Sequence, residues 1–148
     1  MINVVDYLNE NGFTVYAVSG TDREMVREMI LQKGLNISEN HVIGMDCMYG
    51  VAGKESQDLL DYQLGTDDKI VRTDKLLIKN VKMNKVQQIV QEIGKQPVLA
   101  FGNSSGDISM LTYVTTSNAH KSAAFMLVAD DSERDFSNTS KATDNAQK

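Results

Sequence analysis

The chain has 148 residues, 41% of them hydrophobic, with a net charge of -5 and a pI near 4.9, enough for one domain with a real core and too little for two. Its acidic balance and scattered lysines and arginines argue against a nucleic-acid partner, and no apolar run approaches the roughly 20 residues of a membrane span. Residues 1–12 lack the basic-then-apolar order of an export signal, and the single cysteine, Cys47, cannot form an internal disulfide. These features predict a soluble chain, cytoplasmic by default, with no membrane partner; an upstream segment would hold any signal peptide.

Val4, Val5 and Leu8 share one helical face and Gly12 stops that helix. Phe13 to Val18 then forms an apolar run bounded by Gly12 and Gly20, the pattern of a buried strand. Thr21-Asp22-Arg23-Glu24 fits a capping box, with Met25, Val26, Met29 and Ile30 along one face and Gly34 after it, predicting a helix over about 22–33. His41 to Met45 reads as a short strand. Ile70-Val71-Arg72 and Leu76-Leu77-Ile78 read as a hairpin around Thr73-Asp74-Lys75. Val86, Ile89, Val90 and Ile93 recur at helical spacing after Lys85, with Asn84 as N-cap and Gly94 as stop. A strand follows at 98–101, and Ala124 to Ala129 supplies one more apolar run. Residues 130–148 contain only Phe136, Ala142 and Ala146 as apolar residues and predict a disordered tail.

Buried strands alternating with amphipathic helices imply an α/β domain over residues 1–129, built on a mostly parallel sheet with helices on both faces. Ligands of such sheets bind beyond the carboxyl ends of the strands, where Ser19-Gly20-Thr21, Asp46 and the loop Gly102-Asn103-Ser104-Ser105-Gly106-Asp107 all project. A short polar loop with two glycines, opening at the end of a buried strand, brings backbone amides and a carboxylate onto one small charged group. Phosphate, a divalent cation, or both fit that description. The structural alternatives are a strand-to-helix turn for Ser19-Gly20-Thr21, turn and cap bonds for Asn103 and Asp107, and a solvated first-turn lysine for Lys85. His41, His120 and Cys47 stand alone, without ligand spacing.

The residues resemble the haloacid dehalogenase superfamily of phosphohydrolases, in its phosphoserine-phosphatase-like and phosphorylcholine-phosphatase-like members. Val15-Tyr16-Ala17-Val18-Ser19-Gly20-Thr21 is similar to the second motif, whose hydroxyl donates to a phosphoryl oxygen. Lys85, favoured over Lys82 because it opens a helix, is similar to the third-motif lysine, which neutralises phosphate. Gly102 to Asp107 is similar to the fourth motif, whose acidic residues hold Mg²⁺. Their order and their placement at strand ends, over most of residues 13–129, make the resemblance specific. It implies a three-layer Rossmann-like core, a small phosphorylated metabolite as substrate, Ser19 and Lys85 as catalytic residues, and Ser19, Gly20, Thr21 and Lys85 around the phosphate. Asn103 and Asp107 are the implied Mg²⁺ ligands.

Two departures qualify that implication. Asn103 stands where the fourth motif often has Asp, so the first oxygen ligand is a neutral amide. The family's first motif, Asp-x-Asp-x-Thr or Val on the central strand, is absent, and with it the nucleophile. A sheet without that strand has a gap, pairs its flanking strands directly, or takes a strand from another chain; exposed strand edges also favour self-association. The expectation is the C-terminal part of a Mg²⁺-dependent phosphomonoesterase, inactive alone. The alternative is a non-catalytic phosphate-binding remnant or a subunit pairing with another chain. A nucleotide-binding module is disfavoured, since Gly-x-Gly-x-x-Gly and the Gly-x-x-x-x-Gly-Lys-Ser/Thr loop are both missing. Substrate identity stays open because the cap that selects it lies outside the matched motifs, and residues 46–80 read as an insertion of unclear role.

Overall fold

A computed structural model describes residues 1–128; the tail predicted over 130–148 lies outside the described residues. In chain order the elements are α1 (Ile2–Glu10), β1 (Ala17–Asp22), α2 (Arg23–Lys33), β2 (Val42–Val51), β3 (Ile70–Ile78), α3 (Met83–Ile93), β4 (Leu99–Gly102), α4 (Ile108–Thr115) and β5 (Ala123–Met126). The class is α/β. Among the described residues the strands form two sheets, one ordered β1-β2-β3 and one of β4 and β5. Strands β1 and β2 pair in parallel, as do β4 and β5, whereas β2 and β3 are antiparallel.

Several boundaries move from their predicted places, each for a local reason. The apolar run at 13–16 precedes the ladder, and β1 continues through Ser19, Gly20 and Thr21 to Asp22. Its register with β2 breaks between Val18 and Asp22, so those three residues form an irregular stretch of strand rather than the loop beyond it. Asp22, not Thr21, caps α2, its carboxylate accepting from the amides of Glu24 and Met25. The predicted hairpin at 70–78 is one continuous strand, because the end of β2, from Asp46 to Val51, runs far enough to pair with all of it. Thr73 sits inside that ribbon, its hydroxyl donating to the Met48 carbonyl at 2.8 Å, and so cannot be a turn residue. Asn84 does not cap α3: Lys82 holds that position at φ 54°, and the Asn84 amide donates back to the Lys79 carbonyl.

Alternation along the strands decides which faces are covered. Val42 packs with Val26 and Ile30 of α2 and with Ala17, while the next residue, Ile43, packs with Ile89 of α3, Met110, Leu111 and Val114 of α4, Ala100 and Val18. The β1–β2 pair therefore has helices on both faces. The β4–β5 pair does not: Ala100 and Ala124 join the α3–α4 core, but Phe101 and Phe125 on the other face are stacked on each other, 5.1 Å between centroids, and stay exposed. The predicted covering of both faces thus holds for the β1–β2 pair only.

Arg23 ties the layers over β2. Its Nε and Nη2 donate to the two Asp46 oxygens at 2.7 and 2.6 Å, Nη1 donates to Glu92 of α3 and to the Val42 carbonyl at 2.8 and 2.9 Å, and Nη2 also donates to Glu92. Asp46, predicted to line the crevice, is instead committed to this clamp. The helix approaches β2 so closely here that a Cβ on Gly44 would lie 2.5 Å from the Arg23 Cα. Gly44→Ala is expected to cost about 2–3 kcal/mol by forcing α2 off the strand, read as a lower urea midpoint at unchanged slope.

Candidate functional site

The edges of β1 and β4 that pair with no strand among the described residues border a groove of about 570 Å³. Its polar lining is Ser19, Gly20, Lys85, Asn103, Ser104, Gly106 and Asp107; its apolar lining includes Val18, Phe101, Phe125 and Leu127. Five of the residues singled out from sequence, Ser19, Gly20, Lys85, Asn103 and Asp107, thus line one cavity. Thr21 does not; it is exposed, and its amide donates to Ser19 Oγ at 3.1 Å.

Lys85 is 6% exposed, whereas Lys82 is exposed at the helix start. The helical pattern explains the difference: Lys85 precedes Val86 and lies four residues before the fully buried Ile89, on the inward face of α3. Its ammonium donates to the Val18 carbonyl at 2.8 Å and to Asp107 Oδ1 at 2.6 Å. An ammonium has three donors; the third meets no acceptor among the described residues.

Asp107 has no such freedom. Oδ1 takes Lys85, and Oδ2 accepts from the Asn103 amide, the Ser104 amide and the Ser104 hydroxyl at 3.0, 3.0 and 3.1 Å. Burial pushes its carboxyl upward, but the Lys85 hydrogen bond and charge and the Asn103 and Ser104 donors outweigh it and hold the group below its ordinary value. The loop closes on this carboxylate so tightly that a Cβ on Gly102 would lie 2.6 Å from the Asp107 Cβ, which is the physical need for glycine there.

Hard cations require several oxygen ligands with negative charge. Among the described residues Asp107 is the one carboxylate lining the groove, its oxygens are already engaged, and Asn103 adds a neutral amide. Among the described residues no group of three or more His, Cys, Asp or Glu side chains could hold a metal. The implied Mg²⁺ therefore does not fit the donors of these residues taken alone.

Sequence reasoning missed Asn80. It is fully buried, and its Nδ2 donates to the Ser19 carbonyl at 2.9 Å and the Ile43 carbonyl at 3.3 Å, holding the irregular end of β1 against β2. A single Asn after a strand carries no local signal of such a role. Cys47, without ligand spacing in the sequence, is half-buried and its sulfur accepts from Arg72, which also pairs with Asp22. His41 lies against the Tyr16 ring. No helix among the described residues is long and apolar enough to cross a membrane. No model of a known protein family matches the chain, and no curated protein matches it.

Proposed function

We propose that the polar lining of the groove binds the phosphoryl group of a small phosphate monoester, as the electrostatic part of a haloacid dehalogenase-type phosphomonoesterase core, and that this polypeptide alone does not hydrolyse the ester. The observation that carries this reading is the buried Lys85 ammonium, held by two acceptors and keeping one donor for an oxygen in the groove. Ser19 lines the same groove with a hydroxyl proton to donate, and so does Asn103, an exposed residue with a side-chain amide. A charged donor and neutral ones on a small rigid rim suit the tetrahedral oxygens of phosphate.

The same groove argues against turnover. Asp107 accepts four hydrogen bonds and is not free to attack phosphorus; the Ser19 hydroxyl has no histidine or free carboxylate among the described groove residues to activate it. Calorimetry with inorganic phosphate is expected to show saturable binding, unchanged by added Mg²⁺. Ser19→Ala is expected to weaken it about fivefold, the value of one neutral hydrogen bond of about 1 kcal/mol. Release of p-nitrophenol from p-nitrophenyl phosphate is expected to stay at the blank. Absence of phosphate heat sinks the binding half of this reading; turnover that disappears in Asp107→Asn sinks the other half. The alternative role, a subunit that pairs with another chain, is favoured by one separate observation, the open strand edges.

A further inference from the structure

We propose that Asn80 is a positioning residue for the phosphate site: buried behind the groove, it sets where the Ser19 hydroxyl stands and acts on the bound anion only through that hydroxyl. The inference rests on the phosphate reading above and deepens it. Asn80 is fully buried and is not among the residues that line the groove, so it has no direct path to the anion. Its Nδ2 donates to the Ser19 carbonyl at 2.9 Å and to the Ile43 carbonyl at 3.3 Å. Ile43 is 1% exposed and belongs to the core. Asn80 thus ties a groove residue to the packed centre of the sheet.

The ladder alone leaves Ser19 unplaced. Val18 pairs with Ile43 and Asp22 with Met45, and the register breaks between them, so the regular alternation that aims side chains along a strand does not reach Ser19. Two side chains replace it. Lys85 holds the Val18 carbonyl at 2.8 Å, and Asn80 holds the next carbonyl, that of Ser19. Because each peptide is planar, holding these two oxygens orients both planes that meet at the Ser19 Cα, and with them the bond that carries the hydroxyl. The Thr21 amide donates to Ser19 Oγ at 3.1 Å, which leaves the hydroxyl proton for another acceptor. The stretch that supplies Asn80 and Lys85 also meets the far wall, where the Lys82 amide donates to the Gly106 carbonyl at 2.9 Å. Val81, between them, packs so closely on β1 that a Cβ on Gly20 would lie 3.0 Å from its Cγ1. Asn80 Oδ1 has no partner among the described residues, and turning the amide over would set that oxygen against two carbonyl oxygens. A buried acceptor without a donor costs stability; the same amide is the neutral group that gives two carbonyls a donor each.

The test is a double-mutant cycle on the full chain, with inorganic phosphate as the probe and calorimetry as the readout. Asn80→Leu keeps the volume close and removes both donors; Asn80→Ala, which adds no bulk, is measured beside it, and circular dichroism checks that each is folded. Either variant is expected to weaken phosphate binding about fivefold, the same factor as Ser19→Ala, because the Ser19 hydrogen bond is what it loses. In the Ser19→Ala background the same change is expected to alter affinity by less than about twofold. The urea midpoint is expected to fall equally in both backgrounds, which separates the structural role from the positioning one. Losses that multiply to about 25-fold in the double variant overturn the proposal, and so does wild-type affinity in a folded Asn80 variant. A measurement on the wild type stands apart from folding of the variants: in nitrogen–proton correlation spectra the Asn80 side-chain amide is expected to shift during phosphate titration with the midpoint of the Ser19 amide, and an unmoved signal overturns the proposal. Absence of phosphate heat from the wild type overturns the phosphate reading and this proposal together; the other contrary outcomes overturn this proposal and leave that reading standing.

Discussion

Lys85→Met is expected to abolish phosphate binding and to lower stability by about 3–5 kcal/mol, the range for removing one partner of a buried ion pair, or about 10–15 °C in Tm for a chain of this size. Methionine matches the length of the lysine stem but supplies no donor, so the Val18 carbonyl loses its partner and Asp107 stays buried without its cation. Relaxation of the 102–107 loop, which Asp107 organises, is the expected structural response. Lys85→Met combined with Asp107→Asn is expected to recover at least half of the lost stability, since the stranded charge is then gone, while phosphate binding stays absent. The pH dependence has a defined sign. Asp107 is held below its ordinary value of 3.8, so its contribution is fully present above that pH and is lost as pH falls through the depressed native value. The stability gap between wild type and Lys85→Met should therefore be largest above pH 3.8 and shrink below it. A gap that is constant with pH, measured by urea titration, would show that packing rather than the ion pair sets the loss.

Arg23→Met is expected to cost about 3 kcal/mol without touching the groove. All five guanidinium donors are used, on Asp46, Glu92 and the Val42 carbonyl. Glu92 first and Asp46 after it raise the guanidinium's proton affinity further, against the opposing effect of burial. Removing the cation leaves two half-buried carboxylates near each other and loses a bidentate pair. Adding Glu92→Gln to Arg23→Met is expected to return part of the stability, because it removes the repulsion but not the lost bonds. Phosphate affinity is expected to change less than twofold in Arg23→Met at temperatures where the variant is folded. A large loss of affinity would mean that this clamp also positions the Ser19 end of β1.

The positions of Gly34 and Gly94 after their helices were legible from sequence, and both adopt left-handed backbone at φ 64° and 68°. So was most of the inward face of α3, where Val86, Ile89 and Ile93 pack inward and Val90 is exposed, because a 3.6-residue period in apolar residues is local. Grouping Ser19, Lys85 and Asp107 needed more than local pattern; it rested on a motif resemblance together with the rule that strand ends converge. What local pattern could not supply were the partners. Whether 70–78 turns or runs straight depends on how far β2 extends beside it, and whether Asp46 faces a crevice depends on an arginine 23 residues earlier.

Amino-acid order by itself determined the α/β alternation and the glycines that end α2 and α3, because each follows from spacing within a dozen residues; of the predicted helix faces it placed Val5, Val26, Ile30, Val86 and Ile89 inside, while Val4, Met25, Met29 and Val90 are exposed. Only tertiary structure decided that β1 and β4 do not pair, that Asp107 is consumed by Lys85 and its own loop, and that Phe101 and Phe125 lie bare. Those outcomes depend on which groups remain unsatisfied once the helices and strands have packed, and a hydrogen bond or a covered face between residues far apart in the chain leaves no periodic trace in it.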